Sequence, residues 1–259
     1  MSESHVVEPT PYDDGALYDR IFESLDFDVA FWLDVARGGS GPVLDLGCGT
    51  GRVLLRLAEA GIDVDGLDAA PAMIARLEEK LAARGLAALA RVGDMRDFTM
   101  PRRYARVLCA FNAFAHCATT EDQLATLHCV REHLLPEGAL VLHQSYPGPA
   151  YWAGENGVPV FEHETPPEAD GHRLQMWDTR QKNVVDQFQR SETEVRELDA
   201  TGACVRSVRF VTAQRWAYRF ELELLFRAAG FARSEIQGGF AGEPLTRPDQ
   251  QMVAWAWKA

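Results

Sequence analysis

The stretch VLDLGCGTGR, residues 43–52, decides the fold of this chain. A short run with strand character ends in Gly47, Gly49 and Gly51, and the helical pattern RVLLRLAEAG follows. Glycines let a backbone come close to a ligand because no Cβ stands in the way. The amides of the turn and of the helix N-terminus can then donate to an anionic group. The stretch therefore predicts a strand, a glycine-rich nucleotide turn and a helix at the carboxyl edge of a sheet.

Strand and helix patterns alternate around this stretch. Apolar residues at helical spacing predict one helix over 15–37, and Thr120 with Gln123 predicts a capping box for a helix that runs to Leu135. Further strands are predicted at residues 62–68, 86–94, 106–112, 139–146, 232–240 and 251–259. Such alternation is typical of an α/β protein, and the expected fold is a Rossmann-like, seven-stranded, mostly parallel sheet with helices on both faces.

The rhythm changes after the fifth strand. Residues 147–171 are rich in Gly, Pro and acid and predict a long loop, and residues 172–215 contain three stretches with alternating, β-branched strand character. No helical period intervenes, so the sequence predicts an antiparallel insertion over 147–215 that covers the substrate. The core is then expected to comprise residues 1–146 and 216–259, with an N-terminal helical lid.

Composition restricts the partners. The 259 residues carry a formal net charge of −12, which disfavours nucleic acid because phosphate contacts need clustered Lys and Arg. Apolar runs are too short for a membrane span, and the polar N-terminal segment MSESHVVEPTPYDD predicts no secretory signal. Five scattered cysteines without CxxC spacing are typical of reduced thiols, so a cytoplasmic protein is expected. A homodimer is one assembly that the sequence leaves open. No metal site is expected.

Three acids follow three successive strands. Asp45 lies at the end of the first strand, where it would repel a pyrophosphate, and Arg52 stands where the dinucleotide fingerprint needs a glycine. Asp68 ends the second strand and can accept from both ribose hydroxyls. Asp94 follows the third strand and can accept from an adenine amino group. A cationic cofactor, S-adenosylmethionine, fits this set better than NAD.

At these motifs the chain resembles the class I S-adenosylmethionine-dependent methyltransferases. The resemblance rests on VLDLGCGTGR, GLDAAPAMI, VGDMRDF and CAFNAFAH, and the insertion resembles the cover of amino-sugar and glycine N-methyltransferases. It implies S-adenosylmethionine as cofactor and methyl transfer to a small molecule by in-line displacement. The implied cofactor-binding residues are Tyr18, Asp45, Gly47, Gly49, Asp68, Ala69, Met73, Asp94, Met95, Phe111 and Asn112.

The acceptor site is predicted from position along the chain. His116, just past the fourth strand, is the candidate general base, with packing against the next helix as the alternative. The candidate acceptor-binding residues are Tyr12, Phe114, Tyr146, Trp152, Trp177, Arg215 and Tyr218. For Trp152 and Tyr18 the alternative is also packing, and for Arg215 it is a surface ion pair.

Competing functions stay open at this level. An amine nitrogen is the favoured acceptor, ahead of oxygen and carbon in a small natural product. A catalytically silent module that binds S-adenosylmethionine or S-adenosylhomocysteine is a second class of function. A nicotinamide-dependent oxidoreductase is a third, opposed by Arg52 and Asp45.

Overall fold

The parallel sheet predicted around residues 43–52 is present. A computed structural model describes residues 8–259, so the first seven residues of the polar N-terminal segment lie outside the described residues. The strands are β1 Val43–Leu46, β2 Val64–Asp68, β3 Ala90–Val92, β4 Tyr104–Cys109, β5 Leu134–Ser145, β6 Pro159–Glu164, β7 Arg173–Asn183, β8 Phe188–Leu198, β9 Cys204–Arg215, β10 Arg233–Gln237 and β11 Gln251–Trp257. The helices are α1 Gly15–Phe22, α2 Val29–Arg37, α3 Leu54–Glu59, α4 Pro71–Arg84, α5 Thr120–His133, α6 Pro149–Ala153 and α7 Arg219–Ala228, with 3-10 helices at Pro11–Asp13 and Ala113–His116.

Within residues 8–259 the strands form one sheet of seven and one of four. The large sheet has the order β3-β2-β1-β4-β5-β11-β10. Its neighbours from β3 to β5 are parallel, while β11 is antiparallel to both β5 and β10. The chain leaves β1 for β2 on one side and later returns to β4 on the other. This reversal of strand order opens a crevice beyond the carboxyl ends of β1 and β4, and the predicted fold class is confirmed.

Apolar layers cover both faces of the large sheet. Leu44 and Leu46 of β1 pack in a cluster with α5 and α7, while Val43 packs on the other face with Trp32 and Leu54. Strand side chains alternate between faces, so the continuous run of buried residues in β1 reflects helices on both sides. This double packing fixes the position of β1, and with it the position of the glycine turn.

The N-terminal helix is broken where one helix was predicted. α1 ends at Phe22 and α2 begins at Val29. Between them the Leu25 carbonyl accepts a hydrogen bond from Arg52 at 3.0 Å, and the Asp28 carboxylate pairs with the same guanidinium. The helical spacing of apolar residues continues through this segment, but the buried charge pair requires a turn. The segment that was predicted to form a lid therefore consists of α1, a connecting turn and α2 rather than one helix.

Two other local predictions were wrong. Thr119, not Thr120, caps α5, and its hydroxyl accepts from the Asp122 amide at 3.0 Å. The segment 147–171 contains α6 and β6 rather than loop alone. β6 is an edge strand with mostly exposed side chains, so its sequence shows no alternation, and Pro159 is tolerated because it opens an edge strand.

The small sheet, here called the cover sheet, has the order β6-β7-β8-β9, all antiparallel. The predicted antiparallel insertion after β5 is thus present. The Pro9 carbonyl accepts from the Val211 amide on the free side of β9 at 2.8 Å, which ties the N-terminal segment to this sheet. Leu174, Val195 and Phe210 pack with Ile21 of α1, so the cover sheet lies against α1.

Candidate active site

The glycine turn after β1 needs left-handed backbone at three positions. Gly47, Gly49 and Gly51 have φ values of +74°, +54° and +90°. A Cβ on Gly47 would approach the Ala113 Cβ to 2.8 Å, and one on Gly51 would approach the Leu77 Cδ1 to 2.5 Å. Neither site leaves room for a side chain. The turn is therefore packed closely against both the β4 loop and α4.

Asp68 connects the end of β2 to this turn. Its Oδ2 accepts from the Gly49 amide at 2.8 Å and its Oδ1 from the Ala70 amide at 2.9 Å. Burial raises the pKa of Asp68, and the two backbone amides oppose that effect. Each carboxylate oxygen keeps a free lone pair, so the group can still accept from a ligand hydroxyl.

Asp45 lies behind the turn rather than beside it. The residue is 2% exposed and does not line the cleft. Burial raises the pKa of Asp45 to about 7, against the opposing charge of Arg52. Asp45 was predicted among the cofactor-binding residues, and in the structure its side chain is buried inside the sheet, outside the lining of the cleft. Burial raises the pKa of Asp68 as well, so a cation nearby would favour the ionised form of both carboxyls.

A single cleft of about 740 Å³ opens between the carboxyl edge of the large sheet and the cover sheet. The glycine turn, the β2 end and the β4 loop form its floor. Tyr12, Tyr18 and Phe22 close one side, and the inner face of the cover sheet forms the roof. The structure thus brings together these predicted site residues: Tyr12, Tyr18, Gly47, Gly49, Asp68, Ala69, Met95, Phe111, Asn112, His116 and Tyr146.

The loop after β4 is strained at the cleft. Phe111 and Asn112 have φ values of +51° and +64°, which non-glycine residues rarely adopt. The Asn112 Oδ1 accepts from the Ser145 amide at 2.7 Å, and this bond helps to hold the conformation. The Arg52 guanidinium lies 5.0 Å from the centroid of the Phe111 ring. Strain of this kind concentrates at functional sites, where the surrounding contacts maintain it.

A smaller cavity of about 210 Å³ adjoins the cleft beside Ala69, Asp94 and Met95. Asp94 does not present a free carboxylate there. Arg96 donates to both of its oxygens, with Nη2 at 2.6 Å from Oδ2, and the hydrogen bonds of Arg96 lower the pKa of Asp94. The sequence predicted that Asp94 accepts a hydrogen bond from adenine. The spacing of the acids alone did not show that Arg96 pairs with this carboxylate.

Tyr12 and His116 meet at the centre of the cleft. The Tyr12 hydroxyl lies 2.8 Å from the His116 Nε2, although 104 residues separate them. Burial lowers the pKa of His116, and a hydrogen bond to the Ala213 backbone opposes this effect. Burial also raises the pKa of Tyr12 well above its usual value and that of Tyr18 to about 12. Both partners are therefore neutral near neutral pH.

The cover sheet presents only alternate residues to the cleft. Met176, Asp178 and Arg180 of β7 line it, so Trp177 between them lies on the opposite face. There Trp177 packs against Phe161 and under the Arg196 guanidinium. Trp177 was predicted as an acceptor contact, but the parity of the strand removes it from the cleft.

Arg215 also lies outside the cleft, one residue beyond the lining residue Gln214. Its guanidinium donates to the Gln123 Oε1 at 2.9 Å and to the Glu221 Oε1 at 2.6 Å. It therefore joins the cover sheet to α5 and α7. The ion pair that the sequence left as the alternative is present.

Four more predicted residues are not in the cleft. Phe114 and Met73 are fully buried, and Phe114 packs in the core with α5 and α7. Trp152 Nε1 and the Pro147 carbonyl both bond the Tyr218 hydroxyl, which therefore anchors the loop after β5. Tyr151, the neighbour of Trp152, lines the cleft instead. Successive side chains of a helix point about 100° apart, so Tyr151 can face the cleft while its neighbour Trp152 does not.

Sequence reasoning missed the polar lining of the roof. These residues are Glu162, Asp178, Arg180, Gln189, Ser191, Thr193, Thr212 and Gln214. The signal was present, since polar side chains occupy alternate positions on three consecutive strands. The sequence did not show which face of the cover sheet is turned toward the cleft.

Two other kinds of site have no candidate within residues 8–259. There, no three His, Cys, Asp or Glu side chains are grouped so that they could hold a metal ion. In the same part of the chain, no helix is both long enough and apolar enough to span a bilayer.

Comparisons with known proteins agree with this fold and cleft. Residues 43–138 match a family model described as a methyltransferase domain. Cypemycin N-terminal methyltransferase from Streptomyces sp is 29% identical over 251 residues, which cover 95% of this chain and 97% of that protein. The dTDP-3-amino-3,6-dideoxy-alpha-D-glucopyranose N,N-dimethyltransferase of Streptomyces fradiae is 30% identical over 209 residues, with coverage of 78% and 74%.

A solved structure adds the cofactor. SAM-bound CalS10, an amino pentose methyltransferase from Micromonospora echinaspora, is 26% identical, covers 88% of each chain and has a TM-score of 0.67. Sheet order, glycine turn and cleft define the chain as a Rossmann-like methyltransferase. The chain belongs to the S-adenosylmethionine-dependent methyltransferases, and its cofactor is S-adenosylmethionine.

Proposed function

We propose that this enzyme methylates an amine nitrogen of a small molecule. The observation that carries the proposal is the shared cleft, in which the glycine turn faces a polar roof and Tyr12 and His116 lie between them. The names of the two relatives describe methylation of the N-terminus of cypemycin and of the nitrogen of an amino sugar. A nitrogen acceptor is the feature common to both.

The lining of the cleft fits the cofactor. Asp45 and Asp68 are buried carboxyls whose pKa values are raised, so a nearby cation would stabilise their ionised forms. S-adenosylmethionine brings an ammonium and supplies a methyl group on a sulfonium sulfur, which leaves as a neutral thioether when a nucleophile attacks in line. In this proposal Asp68 accepts from the ribose hydroxyls, and the amides of Gly47 and Gly49 meet the carboxylate.

The remaining cofactor contacts follow from the lining of the two cavities. Ala69 and Met95 border the smaller cavity and would flank the adenine ring. Asp94 can still accept from the adenine amino group, because the three donor groups of Arg96 leave one of its roughly four acceptor sites free and the carboxylate is half exposed. Phe111 and Asn112 would lie beneath the methionine part, with Tyr18 on the sulfonium side by cation–π attraction.

The protein's own task is alignment and proton removal. The closed roof and the aromatic side wall exclude water and fix the direction of attack. A methylated amine carries one surplus proton. The Tyr12 oxygen can accept this proton while the Tyr12 hydroxyl proton passes to the His116 Nε2, which is neutral because burial lowers its pKa. The pair thus serves as the proton acceptor, with His116 acting through Tyr12.

The roles of the chain segments are part of the proposal. Residues 1–146 and 216–259 would form the methyltransferase core, and residues 147–215 would form the insertion that binds the acceptor. A small-molecule acceptor is also favoured over nucleic acid, because the lining contains more carboxylates than cations.

The test is transfer of an isotopic label. Purified enzyme and trideuteromethyl S-adenosylmethionine are added to a small-metabolite extract of the organism that makes the protein, and mass spectrometry searches for labelled products. We expect a labelled amine whose fragmentation places the methyl on nitrogen. Controls are a reaction without enzyme and the Asp68→Ala variant, which should bind the cofactor poorly and give no product.

The alternatives give different results. Label on oxygen or carbon would refute the amine assignment and leave the methyltransferase intact. No label from a protein that binds the cofactor in calorimetry would favour a silent module. Unchanged cofactor affinity in Asp68→Ala would show that the proposed binding residues are misassigned.

A further inference from the structure

The roof of the cleft points to the chemistry of the methyl acceptor, if the enzyme is the amine methyltransferase proposed above. We infer that the acceptor carries hydroxyl groups and no phosphate, and that Gln189 is a specificity-determining residue that binds one of the hydroxyls. The inference rests on unpartnered polar atoms in the lining and on the charge of the roof.

Gln189 presents an unpartnered acceptor. The residue is 5% exposed, and its Oε1 is buried without a hydrogen-bond partner. Its Nε2 donates to the Ser191 Oγ at 2.6 Å, so the Ser191 hydroxyl hydrogen is left free to donate. Buried polar atoms without partners are costly, and such an atom in a binding cleft indicates that a ligand supplies the partner.

Trp216 presents an unpartnered donor in the same lining. Its indole Nε1 is buried and has no acceptor. A ligand that satisfies Gln189, Ser191 and Trp216 must therefore both donate and accept hydrogen bonds. A hydroxyl group does both, whereas an ammonium can only donate and a phosphate dianion can only accept.

The charge of the roof excludes phosphate. Among the described residues that line the cleft, Arg180 is the one Lys or Arg. Its guanidinium is already paired with Asp178 at 2.7 Å and with Glu162 at 2.8 Å, and the Thr193 hydroxyl donates to Asp178. Asp249 adds a further carboxylate at the rim. A diphosphate would meet net negative charge here. Recognition of a diphosphate needs free cationic or amide donors, and the guanidinium of Arg180 is already paired with two carboxylates.

This arrangement separates the acceptor from that of one relative. The name of the Streptomyces fradiae enzyme gives it a nucleotide-linked amino sugar. In this proposal the acceptor of this enzyme resembles the hydroxylated amine part of such a compound and has no nucleotide diphosphate attached.

The test compares three acceptors in the wild-type enzyme. One amino hexose is supplied as its methyl glycoside and as its dTDP-linked form, and cyclohexylamine serves as an amine without hydroxyls. We expect kcat/KM for the glycoside to exceed that for either of the others by about tenfold or more, since each of the others leaves buried or charged groups unmatched. Free dTDP should not inhibit.

Variants test the role of Gln189. Gln189→Leu should raise KM for the glycoside about tenfold while leaving the KM values for S-adenosylmethionine and cyclohexylamine unchanged. The matched control is Gln181→Leu, an exposed position on the same sheet, which should alter none of these values.

With an active panel, any of three results would overturn the inference. These are preference for the dTDP-linked sugar, inhibition by free dTDP, or equal use of cyclohexylamine and the glycoside. Each would leave the amine methyltransferase standing, since methyl transfer would still be observed. If no acceptor of the panel is methylated while the extract experiment yields a labelled amine, the inference alone fails. If neither experiment yields an amine, both proposals fail.

Discussion

The buried pair of Arg52 and Asp28 is predicted to stabilise the turn between α1 and α2 together with the glycine turn. The Asp28 side chain has no exposed surface, that of Arg52 is 9% exposed, and Nη2 donates to Oδ2 at 2.9 Å. Arg52→Met removes the guanidinium and keeps an apolar stem. Asp28 then retains only the hydrogen bond from the Trp32 indole at 3.0 Å.

The size of the loss can be bounded in two ways. Removing one partner of a buried ion pair costs about 3–5 kcal/mol because the other charge stays buried. Alternatively the abandoned Asp28 takes up a proton, and protonating an ordinary carboxyl at about pH 7.5 costs about 5 kcal/mol. We therefore expect Arg52→Met to lower the free energy of unfolding by about 3–5 kcal/mol near neutral pH.

The loss should depend on pH. Burial alone would raise the pKa of Asp28, but the hydrogen bonds and charge of Arg52 hold this pKa below its usual value. In the wild type the pair is thus stabilising above the pKa of an unfolded carboxyl and loses this effect as the pH falls through the lower folded value. In Arg52→Met burial is opposed only by the weaker effects of Trp32 and His143, so the pKa of Asp28 rises. The difference between the two proteins should therefore shrink from about pH 8 to about pH 5.

Urea denaturation followed by circular dichroism measures these differences. The matched control is Arg56→Met, whose half-exposed guanidinium pairs with Glu59 and should contribute less than about 1 kcal/mol. The double variant Asp28→Asn/Arg52→Met should recover part of the stability, since no charge is left buried. Equal losses for Arg52→Met and Arg56→Met, or a loss that does not vary with pH, would refute the reasoning.

Three further predictions concern the turn and the chemistry. Gly51→Ala should lower the free energy of unfolding by about 2–5 kcal/mol, through backbone strain and collision with the neighbouring leucines. The control Gly61→Ala should lower it by about 1–2 kcal/mol, because φ is also positive there but no atom lies within 4 Å of the added Cβ. Equal shifts of the melting temperature in the two variants would contradict the packing argument. Tyr12→Phe should lower kcat for the amine about tenfold or more with the KM for S-adenosylmethionine unchanged, measured by steady-state kinetics, and an unchanged kcat would exclude its role in proton transfer. Asp68→Asn should weaken cofactor binding about tenfold in calorimetry, because an amide oxygen can still accept from the Gly49 amide but a charged acceptor is lost.

The sheet and the glycine turn could be predicted because their signals are local. Apolar strand runs, turn glycines and helical spacing each lie within about a dozen residues. The family comparison confirmed the methyltransferase class that three ordered acids and the GxGxG turn had indicated. The break between α1 and α2 was missed because its cause, the ion pair with Arg52, spans 24 residues.

The acceptor side was less predictable because it depends on the parity of strands and on long-range pairing. Trp177 and Asp178 are adjacent, yet only Asp178 reaches the cleft. A shift of one residue moves every side chain of a strand to the other face. The meeting of Tyr12 with His116 depends on how the N-terminal segment joins β9, which no local pattern encodes.

The bond from the Val211 amide to the Pro9 carbonyl has a consequence for how acceptor preference can be exchanged between enzymes. The roof belongs to one uninterrupted stretch of chain, but Tyr12 reaches the cleft from a segment paired with the outer edge of that roof. A chimaera that receives the cover sheet alone would lose the native pairing between β9 and the N-terminal segment. The transferable unit is a composite of the insertion and the N-terminal segment that contains Pro9 and Tyr12, and acceptor specificity should follow the two pieces only when they are moved together.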